Sequence, residues 1–261
     1  MNAYDKVMAA RDSKRLTAVD YINKMFGSSF IEMHGDRRFG DDKAIVGGLA
    51  MLYEQPITVI GIEKGRNTKE RMNRNFGSAN PEGYRKALRL MKQAEKFHRP
   101  VFCLVDTSGA YPGIGAEERG QGLAIAENLM EMMTLKTPVL SIIIGEGGSG
   151  GALALAVADE VWMLEDSIYS VISPEGCASI LWKDSSKAPE ASNCLKLTSH
   201  DLFDLGVIER IIREPVDSDD RKMFEGLKML VARTFEKNMA VDTDKLIDTR
   251  YARFRKFGKK D

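Results

Sequence analysis

Five glycines fall within the seven residues Gly145–Gly151, "GEGGSGG", between the apolar run "TPVLSIII" and "ALALAVADEVWMLED". Gly145, Gly147 and Gly150 satisfy G-x-G-x-x-G, and the acidic pair Glu165–Asp166 follows about twenty residues later, as in dinucleotide-binding proteins. That motif normally follows the first strand of its domain, whereas at least three strand-like segments come earlier here. The spacing therefore fits a nucleotide site, but its place in the chain argues against one.

A second interpretation of the same stretch uses its backbone. Residues 147–151 offer peptide N–H groups without side chains in the way, at the start of a predicted helix, where free N–H groups and the helix dipole favour negative charge. Such groups can form an oxyanion hole for an enolate, a thioester or a ureido oxygen. A third interpretation, a tight turn whose glycines only allow close packing, stays open from the residues alone.

A similar turn, "DTSGAYPGIG", follows the apolar run "VFCLV" at 101–105. Because the carboxyl ends of neighbouring parallel strands open on the same side of a sheet, we expect Gly109 and Ala110 to face the glycines at 147–151 across one cleft. Tyr111–Pro112 would then form an apolar wall for a flat ring, although Tyr-Pro is also ordinary turn chemistry.

The loop 64–75 is basic. It carries five cationic residues against Glu70 alone: Lys64, Arg66, Lys69, Arg71 and Arg74. A cluster of this kind binds phosphates or an acidic partner, or it is simply a solvated surface. The chain as a whole has 38 basic and 38 acidic residues, so general binding to nucleic acid or to a membrane surface is not indicated.

Other kinds of catalytic site find little support. The three histidines, His34, His98 and His200, lie in separate contexts without a metal-binding motif, and we expect structural roles for them. Ser149 is not expected to be a nucleophile. Three well-separated cysteines argue against a disulfide framework or a zinc site and predict a cytoplasmic protein, and neither a signal peptide nor a membrane span is expected.

Apolar strands alternating with helices predict an α/β fold with a parallel sheet covered by helices. Asn80 and Ser173 are helix caps followed by proline at the first helical position. The basic tail 250–261 is expected to be exposed.

We predict a single domain, 1–261, with an N-terminal helix in 1–27, a core at about 28–215 and a helical region at 216–261. The predicted elements are a helix at 3–25, strands at 44–53, 55–65, 101–105, 139–144 and 160–172, helices from Pro81, after Gly115 and from Pro174, and amphipathic helices within 190–235.

Several long motifs are similar to those of the carboxyltransferase alpha subunits of bacterial acetyl-CoA carboxylase. They occur in the family's order between about residues 16 and 214: "FIEMHGDRRFGDDKAIVGGLA", "NFGSANPEGYRKALRLMKQAEKF", "DTSGAYPGIGAEERGQ", "IGEGGSGGALA" and "YSVISPEGCASILWKD". The resemblance implies a crotonase-like (ClpP/crotonase) fold of repeated ββα units with helical extensions at both ends. One departure is Ser108, which stands where many members have proline.

The resemblance also implies an activity and partners. The chain would transfer a carboxyl group from carboxybiotin, on the biotin carboxyl carrier protein, to acetyl-CoA, forming malonyl-CoA for fatty-acid synthesis. It would act only with a zinc-containing beta subunit in an α2β2 heterotetramer, within a complex whose biotin carboxylase uses ATP, and it would hold no metal or covalent cofactor itself.

The residue roles follow by the same resemblance. Gly150 and Gly151 would donate backbone N–H groups to the ureido oxygen of biotin. Gly109, Ala110 and Tyr111 would line the biotin pocket, and Gly148, Arg66 and Arg71 complete the predicted substrate-binding set. Two alternatives remain: another crotonase-like acyl-CoA enzyme, with Glu117 or Glu118 as its acid/base carboxylate, and a non-catalytic NAD-binding or scaffold subunit.

Overall fold

A computed structural model of the chain describes residues 2–217 and 219–258. Their strands form one eight-stranded sheet with helices on both faces. The strands are β1 (Ile31–Glu32), β2 (Ile45–Leu52), β3 (Gln55–Ile62), β4 (Val101–Thr107), β5 (Val139–Gly148), β6 (Glu160–Leu164), β7 (Ile168–Ser170) and β8 (Arg210–Ile212). The predicted α/β class is therefore confirmed.

The strands lie in the order β1-β2-β3-β4-β5-β6-β8, and β7 pairs with the end of β5. The pairs from β3 to β8 are parallel, but β1, β2 and β3 are antiparallel, so a wholly parallel sheet was the wrong expectation. The reason is the short connection between β2 and β3, because Tyr53–Glu54 can close a hairpin but cannot cross over the sheet. Tyr53 has φ 54°, the left-handed conformation that such a turn uses.

Some stretches that were predicted as single helices are divided into shorter helices in the structure. They are α1 (Ala3–Ala10), α2 (Ala18–Phe26), α3 (Thr68–Asn73), α4 (Pro81–Lys96), α5 (Ile114–Glu118), α6 (Gln121–Met133), α7 (Ser149–Leu153), α8 (Pro174–Trp182), α9 (Ala188–Leu195), α10 (Ser199–Asp204), α11 (Arg221–Met239) and α12 (Thr243–Arg255). No helix among the described residues combines the length and the apolar character that crossing a membrane requires.

The predicted helix 3–25 is two helices, because each part has its own start. Asn2 and Thr17 both form capping boxes, and the segment between α1 and α2 leaves the helical path. The predicted strand 160–172 is likewise two strands, since β6 pairs with the first half of β5 and β7 pairs with its end. The loop 64–80 contains the unpredicted helix α3.

The core lies on both faces of the sheet, as continuous apolar strands require. Alternate residues of β4 separate the two sides. Cys103 and Val105 pack in the cluster beneath α4 and α6, whereas Phe102 and Leu104 pack in the cluster beneath α2 and α11. Packing on both faces of the sheet thus holds the carboxyl ends of the parallel strands in place. It also restricts the turns that follow these strands.

The C-terminal helix α12 is anchored by two buried arginines, for which the predicted exposure of the tail was wrong, whereas most other described residues of the tail are exposed. Arg250 is fully buried, and every N–H of its guanidinium is bound. Its acceptors are both carboxylate oxygens of Asp159 at 2.8 and 2.9 Å and the carbonyls of Met132, Leu135 and Thr137 at 2.7–2.9 Å. Arg253 binds Glu209 and the Val207 carbonyl in the same way. Residues 259–261 of the predicted tail lie outside the described residues.

Arg250→Ala is expected to lower the free energy of unfolding by about 3–5 kcal/mol, because it leaves Asp159 as an unpaired buried charge. Urea denaturation measures the change. Arg255→Ala on the same helix is the matched control, since Arg255 is exposed. Similar stabilities for the two variants would show that the buried cluster does not hold α12.

Candidate active site

The two glycine turns meet at the carboxyl ends of β4 and β5. The strands are parallel neighbours, and Thr107 pairs with Gly147 just before the turns. The turns touch through their backbones: a Cβ on Gly148 would lie 2.2 Å from the Ser108 oxygen, and one on Gly151 would lie 2.6 Å from the Ala110 nitrogen. Four predicted site residues, Gly109, Ala110, Gly148 and Gly151, therefore come together as expected.

The first glycines of the run belong to a strand, so their expected place in a turn was wrong. Gly145, Gly147 and Gly148 continue β5, where Gly147 pairs with β4 on one side and β7 on the other. A Cβ on Gly145 would lie 2.4 Å from Oδ1 of Asp106. The close-packing interpretation, left open above, therefore holds for these three residues.

Ser149 makes the corner between β5 and α7. Its φ is 55°, a strained value for a residue with a side chain. Gly147, Ser149 and Gly151 also have the spacing of a nucleophile elbow, in which a serine occupies a sharp strand-to-helix turn. In such an elbow the N–H of the next residue contributes to the oxyanion hole, and here that residue is Gly150.

Three backbone N–H groups are available at this corner. No loop or cap carbonyl among the described residues accepts a hydrogen bond from Ala110, Gly150 or Gly151. Gly150 and Gly151 lie in the first turn of α7, where N–H groups lack intrahelical partners. An oxygen that carries negative charge would supply the missing acceptor.

Tyr111 has an exposed ring on a fixed backbone. Its N–H donates to the Ala79 carbonyl at 3.1 Å, and its own carbonyl accepts from Nε2 of Gln121 at 2.9 Å. The same Nε2 also donates to the Ala79 carbonyl at 2.8 Å, which ties the two segments together. Sequence patterns do not reveal this role of Gln121, because its acceptors are distant carbonyls.

Tyr84 lies directly behind the turns. Its hydroxyl is buried without a hydrogen-bond partner among the residues that the structure describes, and it lies 2.8 Å from the position of a Cβ on Gly151. Burial raises the pKa of this hydroxyl well above the ordinary value, so it stays protonated. The sequence position of Tyr84, in the first turn of α4, does not indicate this contact with the glycines.

An apolar cavity of about 380 Å³ opens at Ser149 and Gly150. Its walls come from α7, β7, α10 and α12, with apolar side chains that include Leu153, Tyr169, Leu202, Phe254 and Phe257. Phe254 and Phe257 pack edge to face, with ring centroids 5.5 Å apart. This cavity was not predicted, because the helix that closes it was expected to be exposed.

Arg66 and Arg71 do not line that cavity. The guanidinium of Arg66 pairs with Asp20 of α2. Arg71 donates to the Gly65 carbonyl at 3.1 Å and borders a separate polar cavity of about 180 Å³ that also reaches Ser108. The structure therefore brings the predicted glycines together but leaves these two arginines apart from them.

The described residues around the glycines supply neither a carboxylate at the cavity beside Gly150 nor a group that could hold a metal ion. Glu117 and Glu118 are exposed on α5, and neither borders the cavity at Gly150. Within residues 2–217 and 219–258, no three histidine, cysteine or acidic side chains form a group that could hold a metal ion. What this site offers is directed N–H groups beside an apolar cavity.

The two glycines of α7 are expected to differ in their tolerance of a side chain. Gly150→Ala should keep wild-type stability, because its Cβ would meet nothing closer than Ile125 at 3.6 Å. Gly151→Ala should lose about 1–3 kcal/mol, because its Cβ would overlap the Ala110 backbone. Urea denaturation of both proteins measures this, and equal stabilities would contradict the backbone contact.

Comparison with known proteins places the whole chain in one family. Residues 1–258 match the family described as "Acetyl co-enzyme A carboxylase carboxyltransferase-like". The chain is 61% identical over 258 residues to the acetyl-coenzyme A carboxylase carboxyl transferase subunit alpha of Ruminiclostridium cellulolyticum, covering 99% of this chain and 98% of that protein. It is 58% identical over 255 residues to the subunit of the same name from Streptococcus pyogenes serotype M5, covering 95% and 96%.

Solved structures agree on the fold. A chain of the Pseudomonas malonate decarboxylase hetero-tetramer with coenzyme A superposes with a TM-score of 0.72 at 14% identity, over 92% of this chain and 98% of that one. Transcarboxylase 12S gives a TM-score of 0.67 at 20% identity, over 85% and 43%. These similarities confirm the predicted crotonase-like fold, and together with the relatives' sequences they establish that the chain belongs to the acetyl-CoA carboxylase carboxyltransferase family, on the side of its alpha subunits.

Proposed function

We propose that this chain is the alpha component of a carboxyltransferase that moves a carboxyl group from carboxybiotin to acetyl-CoA and so forms malonyl-CoA. Family membership over almost the whole chain supports the reaction. The observation that supports the site is the contact of two glycine turns, with free N–H groups at Ala110, Gly150 and Gly151, beside an apolar cavity.

The N–H groups of Gly150 and Gly151 stabilise the charge that develops when carboxybiotin releases CO2. Electrons from the broken N–C bond delocalise onto the ureido oxygen, where preorganised donors act most strongly. The ureido nitrogen then takes a proton from the methyl group of acetyl-CoA, and the resulting carbanion attacks CO2. This sequence needs no protein base, in keeping with the absence of a carboxylate from the cavity lining.

The other predicted site residues have substrate-binding roles. Gly109, Ala110, Tyr111 and Gly148 border the bound biotin, with the Tyr111 ring as an outer wall. The apolar cavity at Gly150 accommodates the hydrocarbon part of biotin. Arg66 and Arg71 bind acidic groups of an approaching substrate or carrier protein, and Arg71 has no carboxylate partner among the described residues.

The partners are a beta subunit in an α2β2 assembly, the biotin carboxyl carrier protein and biotin carboxylase. Relatives named subunit alpha and a hetero-tetrameric structural neighbour support a multi-subunit enzyme. A beta subunit with a bound zinc ion and most of the CoA site, and a cytoplasmic location, stay predictions.

The alternatives have less support. An acyl-CoA hydratase or decarboxylase subunit requires a carboxylate at the glycines, whereas Glu117 and Glu118 are exposed and do not border the cavity at Gly150. A dinucleotide site requires an open glycine face, whereas Gly148 packs against Ser108 and Asp166 is paired with Lys6.

The decisive assay runs the reaction in reverse. The chain is combined with a carboxyltransferase beta subunit, malonyl-CoA and biocytin, and acetyl-CoA formation is measured. Biocytin-dependent turnover is expected from the mixture and from neither protein alone. Absence of turnover with a beta subunit that is active beside another alpha subunit would refute the proposal, and biocytin-independent turnover would favour a decarboxylase.

Leu153→Trp tests the apolar cavity, which the larger side chain would fill. The KM for biocytin is expected to rise at least about tenfold, equivalent to about 1.4 kcal/mol, while the KM for malonyl-CoA stays unchanged. Leu230→Trp is the matched control, since Leu230 borders a groove beside β8 and α11. An unchanged KM for biocytin in Leu153→Trp would contradict this use of the cavity.

A further inference from the structure

Three charged side chains meet beneath the glycine turns. Lys64 follows β3, Asp106 lies near the end of β4, and Glu146 lies near the end of β5. The Nζ of Lys64 is 2.7 Å from Oδ1 of Asp106 and 2.8 Å from Oε2 of Glu146. The side chains of the two acids are 7% and 10% exposed and that of Lys64 is 17% exposed, so the ammonium connects three strand ends at the wall of the polar cavity, largely shielded from solvent.

This cluster is built into the strands that carry the site. Oδ1 of Asp106 accepts the Glu146 peptide N–H at 2.8 Å, where the register between β4 and β5 shifts after Val105. Gly145 leaves room for that carboxylate, because a Cβ there would overlap it. Gly109 comes three residues after Asp106, and Gly150 comes four residues after Glu146. Any movement between the two carboxylates therefore moves the two turns relative to each other.

Neighbouring charges complete the cluster. Nε of Arg11 lies 2.7 Å from Oε1 of Glu146, and Nη1 of Arg11 lies 2.7 Å from Oε1 of Glu175 on α8. Burial disfavours the charged form of Glu146, but Lys64 and Arg11 hold its pKa below the ordinary value. Lys64, Asp106, Glu146 and Arg11 all border the polar cavity of about 180 Å³ that reaches Ser108. The other charged side chains that line this polar cavity are Asp12, Arg15 and Arg71.

We infer that Lys64 is a positioning residue, whose ammonium fixes the spacing of the β4 and β5 ends and thereby aims the N–H groups of Ala110, Gly150 and Gly151 at one oxygen. Lys64 borders the polar cavity that it shares with Arg71 and not the cavity at Gly150, and both of its close ion pairs are with Asp106 and Glu146, through which it acts on the turns. Small errors in this alignment lower the catalytic rate strongly, because catalysis by fixed hydrogen-bond donors depends on their geometry. This inference rests on the proposed function of the glycines.

Removing the ammonium should create a pH dependence that the wild type lacks. In Lys64→Met, Asp106 loses the cation it contacts and faces Glu146 as a second buried carboxylate. Two such groups ionise together only with difficulty, so the pKa of the pair rises and one proton is shared at low pH. As the pH rises the proton leaves, the carboxylates repel, and the turns separate.

The test measures reverse carboxyl transfer by the assembled alpha–beta complex at pH 6 and pH 8. Relative to wild type at the same pH, kcat of Lys64→Met is expected to be about 10–100-fold lower at pH 8 and clearly closer to wild type at pH 6. Lys64→Met/Asp106→Asn should return kcat at pH 8 most of the way to wild type, because asparagine keeps the acceptor and removes the repulsion. This second variant also allows the test if Lys64→Met alone does not fold.

Lys92→Met is the matched control. Lys92 also bridges two carboxylates, at 2.7 Å from Glu95 and 3.1 Å from Glu131, but on an exposed surface away from the turns, and its loss should leave kcat unchanged. A wild-type kcat for Lys64→Met at both pH values would overturn the inference. So would a pH-independent loss that Asp106→Asn does not reverse. An inactive wild-type complex would instead refute the proposed function, and this inference with it.

Discussion

The contact between two peptide backbones, those of the turn after β4 and the start of α7, is the constraint on which the site depends. Side chains normally keep neighbouring turns apart, but Gly148 and Gly151 have none, so the Ser108 oxygen and the Ala110 nitrogen occupy the space that a Cβ would need. This close approach brings the backbone of Ala110 next to that of Gly151. A site of this kind presents main-chain N–H groups, although Gly147, Ser149 and Gly151 also match the spacing of a nucleophile elbow.

Rigid support makes this backbone contact useful. The parallel pairing of β4 and β5 sets the position of the turns, the apolar clusters on both faces hold the strands, and the charge cluster of Lys64, Asp106 and Glu146 spans the strand ends. The strained corner at Ser149 ends the strand abruptly, and the first turn of α7, where N–H groups lack intrahelical partners, begins there. Oxyanion stabilisation needs such preorganisation, because donors that must reorganise during the reaction contribute less.

The C-terminal helix α12 supplies one wall of the apolar cavity at Gly150. By itself the corner at Gly150 is only a set of N–H groups at the surface, but α12 covers one side of it with Phe254 and Phe257 and forms an apolar cavity there. Arg250 and Arg253 hold the helix in place through buried hydrogen bonds. The combination of apolar walls and a few directed donors is typical of a small-molecule site.

The sequence by itself determined the fold class, most strands, the helix starts at Pro81 and Pro174 and the family, because these depend on local periodicity, capping residues and long motifs. It also predicted that Gly109, Ala110, Gly148 and Gly151 lie together, since parallel strands must end on one side of a sheet. It did not predict the burial of Arg250, the role of Gln121 or the orphan hydroxyl of Tyr84. Only the tertiary structure decided these, because the carbonyls and carboxylates that bind Arg250 and Gln121, and the packing that encloses the Tyr84 hydroxyl, come from segments distant in the sequence. The glycines show the same division: their spacing is compatible with a turn, a nucleotide loop or an oxyanion hole. The tertiary structure packs Gly145 against the Asp106 carboxylate, Gly147 against the Tyr169 ring and Gly148 against the Ser108 backbone, and no loop or cap carbonyl of the described residues accepts from the N–H groups of Gly150 and Gly151.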